Sequence, residues 1–247
     1  MSYRLALVIP IYNEQGNILP LVNALRDNRV EPELCPYELI LVNNGSSDNS
    51  AQEIEEAVGK TPWIRVIRLK DNVGYGGGIQ RGLKSASTSA THVGWIPADH
   101  QYSVEDLLMV WKKVLKDPMA VHKGLRTVRK DGRQSQLVSQ VYTNLTRYIL
   151  GVKVQDVNAL PKIFPLFLLK RVDFTLSSNF MLDGQILLAA QHLKLPIREH
   201  PLTFHARRSG VSSWSGRRIR VYAQTIRELI ALRFQSKRWF TSAQSPT

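Results

Sequence analysis

Four clusters of polar side chains follow four strand-like apolar runs in the first hundred residues, and each carries groups able to bind a polar ligand. After Leu5–Ile9 comes Pro10-Ile-Tyr-Asn-Glu14; after Tyr37–Val42, Asn43-Asn-Gly-Ser-Ser-Asp48; after Ile64–Arg68, Asn72-Val-Gly-Tyr-Gly-Gly-Gly78; and after His92–Ile96, Pro97-Ala-Asp-His-Gln101. The carboxylate of Glu14 can accept hydrogen bonds from hydroxyls, that of Asp99 can hold a hard cation, and the amides of Asn43, Asn72 and Gln101 both donate and accept. Tyr12 offers a ring for stacking. Further along, Arg126, Arg129 and Arg133 form one basic cluster and Arg207-Arg-Ser-Gly-Val-Ser-Ser213 another, and the guanidinium fork suits phosphate. Asp183, in Leu-Asp-Gly-Gln, stands at the start of an apolar periodic run, as a helix-dipole acid or a base.

Such groups converge only if the strands lie side by side. Helical periodicity begins near Asn17, Ser50, Gly76 and Ser103, so strands alternate with helices and a mainly parallel sheet is expected. Open sheets of this kind bind ligands beyond the carboxyl ends of their strands, where the four clusters fall. Ser50-Ala-Gln-Glu53 and Ser103-Val-Glu-Asp106 have capping-box spacing and mark two helix starts. Later elements read as a strand over Ala120–Leu125, a helix over Gln134–Leu150, a strand over Ala159–Phe164, a helix over Asp183–His192 and a strand over Ile197–Phe204.

Two nucleotide-loop templates fail on the glycine tract. A G-x-G-x-x-G fingerprint starting at Gly74 needs glycine where Ile79 stands, and a phosphate loop starting at Gly77 needs lysine where Leu83 stands. The tract itself reads as a flexible loop before a helix.

At 247 residues and 43% hydrophobic content the chain suits one large α/β domain. A single cysteine, Cys35, excludes an intrachain disulfide and fits a reducing compartment. No apolar run approaches the roughly 18 residues needed to span a bilayer, and a strand begins almost at the amino terminus, so a cytoplasmic protein is expected, or one peripheral at the inner face of a membrane. The net charge of +13 favours anionic partners. No nucleic-acid reader motif accompanies it, so nucleic acid is not expected. The 217–247 segment has Ile219, Tyr222, Ile226, Leu229 and Ile230 at near-helical spacing among Arg218, Arg220, Arg227, Lys237 and Arg238, with Trp239 and Phe240 following. It reads as a basic amphipathic helix and tail, packed on its own domain or lying on an anionic membrane.

The ordered motifs resemble the family 2 glycosyltransferases of GT-A fold, most closely the branch of dolichyl-phosphate mannose synthase and bacterial polyprenyl-phosphate glycosyltransferases. Asp156-Val-Asn-Ala-Leu-Pro-Lys-Ile-Phe164, Phe180 to Gln185 and Ile197 to Trp214 extend the likeness over residues 1–216, taken as the GT-A domain. The resemblance implies a sugar moved from a nucleoside-diphosphate sugar to an acceptor, with polyprenyl phosphate favoured, a soluble glycan or small molecule as the alternative, and a silent nucleotide-sugar-binding module as a third reading. It assigns Pro10, Tyr12, Glu14, Asn43, Gly45, Asn72, Gly74, Gly77, Ala98 and Asp99 to the nucleotide, Asp99 and Gln101 to a divalent Mg²⁺ or Mn²⁺, and Asp99 and Asp183 to catalysis. It also implies that Gly76 to Gly78 let the backbone approach the bound nucleotide closely. Arg126, Arg129, Arg133, Arg207 and Ser212 then hold acceptor or donor phosphates. The chain departs from the family pattern at Asn43-Asn44, where two acids are usual, and at Pro97, which stands where the first acid of a D-x-D belongs. His100 is a further possible ligand or an ordinary loop residue.

Overall fold

The computed structural model describes residues 2–28, 38–59, 61–171, 177–207, 224 and 226–234. Cys35, Ser212, Arg218, Arg220, Lys237, Arg238, Trp239 and Phe240 lie outside them, as do the boundary expected at 216–217 and most of the basic segment after it.

Seven strands form one sheet in the order β3-β2-β1-β4-β6-β5-β7. These are β1 (Leu5–Ile11), β2 (Glu38–Asn44), β3 (Ile64–Leu69), β4 (His92–Trp95), β5 (Val121–Arg129), β6 (Lys162–Pro165) and β7 (Ile197–Phe204). Only β6 runs against its neighbours β4 and β5. β1 and β2 are buried nearly throughout, because helices cover both faces of a parallel sheet and every side chain must be accommodated in a dry layer. The helices are α1 (Ile18–Asp27), α2 (Ser50–Val58), α3 (Tyr75–Ser85), α4 (Val104–Lys116), α5 (Arg133–Leu150), the short α6 (Phe167–Lys170) and α7 (Met181–His192). The strands and helices expected between residues 5 and 204 are present; the sixth strand begins at Lys162 rather than Ala159.

Chain order reverses between β1 and β4: β2 and β3 lie on one side of β1, and β4 follows on the other. At such a switch point the loops leaving adjacent strands diverge and open a crevice. The loops here are Pro10–Glu14 and Ile96–Gln101.

Of the two expected capping boxes, one forms its hydroxyl half and the other turns to a neighbouring segment. Ser103 Oγ accepts the Asp106 N–H and caps α4. Ser50 and Glu53 instead serve the neighbouring helix: Ser50 Oγ accepts the Glu14 N–H at 2.9 Å, and the Glu53 carboxylate accepts the N–H groups of Gly16 and Leu19 at 2.6 and 2.8 Å. Asp48, one residue ahead of the N-cap Asn49, accepts the N–H groups of Ser50 and Gln15 through its carboxylate. Burial opposes this, yet those hydrogen bonds prevail and hold Asp48 below the usual carboxylate range. The first two polar clusters are thereby locked to each other.

The helical stretch over 226–234 rests on the domain. Leu229 and Leu232 are buried in the core, and the Glu228 carboxylate takes a hydrogen bond from Asn179 at the start of α7.

Candidate active site

Arg207, just beyond β7, reaches into the crevice between β1 and β4. Its Nη1 donates to Glu14 Oε1 and its Nη2 to Asp99 Oδ2, both at 3.0 Å. The connection from β7 is fixed by the loop that carries Asp99: the His205 N–H donates to the Gln101 carbonyl at 2.9 Å, and Gln101 Nε2 donates to the His205 carbonyl at 3.2 Å. Asp99 Oδ1 accepts the Gln101 N–H, and Glu14 Oε2 accepts from Asn17 Nδ2. Burial pushes the carboxyls of both Glu14 and Asp99 above their ordinary values; Arg207 pulls both back, and the charge of Asp99 adds to the upward push on Glu14. Two acids that repel each other in a partly dry cleft form a place for a cation, and a guanidinium stands there.

These are hard oxygen donors, and the adjoining Gln101 directs its amide N–H to the His205 carbonyl. Among the described residues no cluster of three or more His, Cys, Asp or Glu could enclose a metal. The donor set therefore fits a divalent ion that takes its remaining ligands from a diphosphate and water, the usual habit of Mg²⁺. His100 turns away: its Nε2 lies 2.8 Å from the Asn17 carbonyl.

The wall on the β2 side is built by asparagines. Asn43 Oδ1 accepts the Ser46 N–H at 3.0 Å and shapes the turn at Gly45, where φ is +72° and a Cβ would come within 2.5 Å of the Asp71 backbone. Asn44 was not among the expected ligand-binding residues, yet it organises the next loop. Its Nδ2 donates to Asn72 Oδ1 and to the Gly74 carbonyl, and its Oδ1 accepts the Val73 N–H. Asn72 Oδ1 also takes the Gly74 N–H at 2.8 Å. Tyr12 and Pro10 are half-buried along the crevice, and Ala98 is buried beneath it.

The glycine tract packs closely against a distant part of the chain. A Cβ on Gly76 would lie 2.2 Å from the Ser177 carbonyl oxygen, and one on Gly74 2.5 Å from that of Ser178. Gly77 donates its N–H to the Ser178 carbonyl, and a Cβ there would strike Val73. The glycines thus seat α3 against the chain entering α7.

The first arginine cluster is mostly committed to internal partners. Arg126 holds Asp156 through two hydrogen bonds, at 2.6 and 2.7 Å, and donates to Ser139 of α5. Asp156 is held below the usual carboxylate range: burial works against this, and the Arg126 hydrogen bonds and charge outweigh it. Arg129 pairs with Asp131. Arg133 is exposed and makes no ion pair among the described residues, so it alone of the three is free for an incoming phosphate.

Asp183 and Lys162 are both fully buried and form an ion pair. Burial pushes the Asp183 carboxyl up and the Lys162 amine down, each restrained by the other's charge. Lys162 also donates to the Val157 carbonyl, and its ammonium lies 5.3 Å from the Trp95 ring centre. Lys123, paired with Lys162 in sheet register, is fully buried too and donates to Glu199. Neither lysine was expected as part of the site's framework. A charged residue inside an otherwise apolar strand was the available signal.

A family model described as glycosyl transferase family 2 matches residues 6–175. The chain belongs to this family. It is 26% identical over 243 residues to a dodecaprenyl-phosphate galacturonate synthase of Rhizobium johnstonii, covering 96% of this chain and 69% of that protein. It is also 26% identical over 215 residues to a dolichyl-phosphate beta-glucosyltransferase of Dictyostelium discoideum, covering 79% of this chain and 64% of the relative, so the chain spans about two thirds of these relatives' length. Glucosyl-3-phosphoglycerate synthase from Mycobacterium tuberculosis, crystallised with Mn²⁺, UDP-glucose and phosphoglyceric acid, superimposes with a TM-score of 0.64 at 18% identity, over 94% of this chain and 80% of that one. The GT-A architecture expected from the motifs is the one adopted, and this member of family 2 is a glycosyltransferase.

Proposed function

We propose that this glycosyltransferase takes its sugar from a nucleoside-diphosphate donor and transfers it, with inversion, to a polyprenyl phosphate. The observation that carries the reading is the Glu14–Arg207–Asp99 bridge at the switch point. Two acids and an exchangeable cationic group meet where the departing diphosphate of a bound donor belongs, and electrostatic stabilisation of that leaving group is the main demand of the reaction. Tyr12, Asn43 and the Asn72–Gly74 loop border the same crevice and supply stacking and amide contacts for the nucleoside. Asp99 with Gln101, and Glu14 beside them, would hold Mg²⁺ or Mn²⁺. Such an ion supplies charge neutralisation of the diphosphate.

Support for the lipid acceptor comes from the two relatives, a dodecaprenyl-phosphate galacturonate synthase and a dolichyl-phosphate beta-glucosyltransferase. A phosphate acceptor is already ionised, so little base catalysis is required. The sealed position of Asp183 accords with that: it acts by holding α7 and the floor of the site rather than by taking a proton. Arg133, exposed and without an ion pair among the described residues, would be the cation for the acceptor phosphate. The enzyme then works at a membrane surface, and no helix among the described residues is long and apolar enough to cross one.

The test is transfer from a panel of UDP- and GDP-sugars to a short-chain polyprenyl phosphate, with the lipid-linked sugar identified by mass spectrometry. Product that forms with a divalent ion and is lost in the Asp99→Asn protein meets the expectation. Transfer to water-soluble acceptors with every polyprenyl phosphate ignored overturns the lipid part of the reading.

A further inference from the structure

α5 carries a second apolar stripe, on the side turned away from the core. Its inner face buries Tyr142, Thr143, Thr146 and Leu150. Leu137, Val141 and Tyr148 are 63, 50 and 89% exposed. At about 100° per residue these three fall within roughly 40° of one another on the helix wheel, opposite the buried face. Single exposed apolar residues are ordinary on protein surfaces. Three aligned on one helix, spanning 137–148, form a contiguous strip that water solvates poorly.

Along α5 and the turn that follows it, the charge has one sign, Asp131 lying just ahead of the helix and paired with Arg129. From residue 132 to residue 155 there is no Asp or Glu, while Arg133, Arg147 and Lys153 are all exposed. Arg133 and Arg147 lie on one shoulder of the stripe at helical spacing. At the carboxyl end an open depression of about 450 Å³ is lined by Arg147, Tyr148 and Lys153, with Gly151 at its rim. An outward apolar strip with cations on its shoulder, and without acids, is the pattern of a helix lying in the plane of an anionic bilayer. A soluble partner would have to satisfy the apolar strip and the one-sided charge together, and a second copy of this basic chain would meet it with like charge.

We infer that α5 is a membrane-contacting face, with Leu137, Val141 and Tyr148 entering the headgroup boundary and Arg133 and Arg147 on anionic lipid phosphates. The inference rests on the polyprenyl-phosphate reading for its purpose. Arg126 ties the inner side of α5 to the sheet through Ser139 and Asp156, so a bilayer against the outer side is held in a fixed position relative to the site. Arg133 then stands where a lipid phosphate meets both.

The experiment is co-sedimentation of the full chain with vesicles of phosphatidylcholine alone and of phosphatidylcholine with 30% phosphatidylglycerol, as a chosen composition of about 7:3. The wild type is expected on the anionic vesicles only. The triple variant Leu137→Gln, Val141→Gln, Tyr148→Gln should bind them at least about tenfold more weakly with its circular-dichroism melt retained, because polar side chains cannot enter the boundary. Arg133→Gln with Arg147→Gln should weaken binding most at low salt. Equal vesicle binding by wild type and the folded triple variant, or no binding by the wild type, overturns the inference. So does a shift from oligomer to monomer in the triple variant without a change on vesicles, which would assign the strip to self-association. Transfer to a water-soluble short-chain polyprenyl phosphate should be equal in wild type and triple variant. Absence of that transfer in the wild type counts against the acceptor reading alone, while the vesicle comparison still decides the surface.

Discussion

Arg207 and Asp99, 108 residues apart in sequence, are joined by a hydrogen-bonded ion pair of 3.0 Å, and the same guanidinium holds Glu14. One side chain thereby connects the loops after β1, β4 and β7. Replacing Arg207 with Gln leaves two mutually repelling carboxylates in a partly dry cleft. The expected cost is about 1–2 kcal/mol by urea unfolding, since the guanidinium is a quarter exposed and solvent screens part of the loss. Affinity for a nucleoside diphosphate should fall about tenfold by calorimetry. Arg207→Lys should not restore it, because an ammonium cannot span two acceptors as a planar fork does. Unchanged stability and affinity in the Gln variant would sink this account.

The two leading asparagines should respond differently to the acids usual at their positions. Asn43 uses its side-chain oxygen to accept the Ser46 N–H, so Asn43→Asp keeps its contact. Asn44 uses its amide N–H₂ to donate to Asn72 Oδ1 and the Gly74 carbonyl, and aspartate would set oxygen against oxygen at both. Asn44→Asp is expected to lose about 2–3 kcal/mol of stability and Asn43→Asp less than about 1 kcal/mol. Melting of both purified variants at pH 7 provides the comparison, and equal losses would contradict it.

The alternation of strands and helices, the mainly parallel sheet and the edge where the polar clusters gather were legible from sequence because buried parallel strands are nearly unbroken apolar runs, and their polar successors fall at one edge; the strand order and the switch point were not. Nor were partnerships across the fold. Ser50 and Glu53 have the spacing of a cap for their own helix, but spacing reports reach, and the N–H groups at the start of α1 lie equally near. Arg126 reads as a phosphate ligand until Asp156 is brought beside it by the pairing of β5 with β6. The packing of the glycines at the start of α3 was also hidden, because the chain they meet, at Ser177 and Ser178, is about a hundred residues away.

Gly76 offers a test in which propensity and packing disagree. Within a helix, Gly to Ala ordinarily stabilises by about 1 kcal/mol. Here the added methyl would meet the Ser177 carbonyl at 2.2 Å, a backbone atom that cannot rotate away. Gly76→Ala is therefore expected to destabilise by about 1–3 kcal/mol. A rise in the midpoint of urea unfolding would refute the close packing of α3 on that segment.

Lys123 predicts a pH dependence. Burial, reinforced by the charge of Lys162, lowers its amine from 10.5 to about 8, with Glu199 and Asp156 opposing. The unfolded chain keeps this proton up to the ordinary lysine value, whereas the folded protein releases it near 8. Between these values the unfolded state binds more protons, so this group's contribution to stability rises with pH from about 8 to 10.5 and is flat below and above. Glu199 keeps the N–H groups of Gln155 and Asp156 if the amine is removed, so Lys123→Met should fold. The stability of wild type minus that of the variant should increase across this window. A constant difference would rule out the lowered amine.

The buried Lys162–Asp183 pair separates a framework role from a proton-transfer role. Removing one partner leaves an uncompensated charge in the core, so Lys162→Met and Asp183→Leu should each cost about 3–5 kcal/mol, while the double variant recovers much of that loss because both desolvation penalties are removed together. Asp183→Asn is nearly isosteric and keeps a polar contact to Lys162. If Asp183 acts by positioning α7 beneath the site, the Asn protein should melt earlier and bind donor less tightly, yet retain kcat within about tenfold, since no proton passes through it. The pH profile of kcat should also keep its shape. A loss of kcat by a factor of about a thousand or more, with stability and donor affinity intact, would instead make Asp183 the base and show that the carboxylate becomes accessible during turnover.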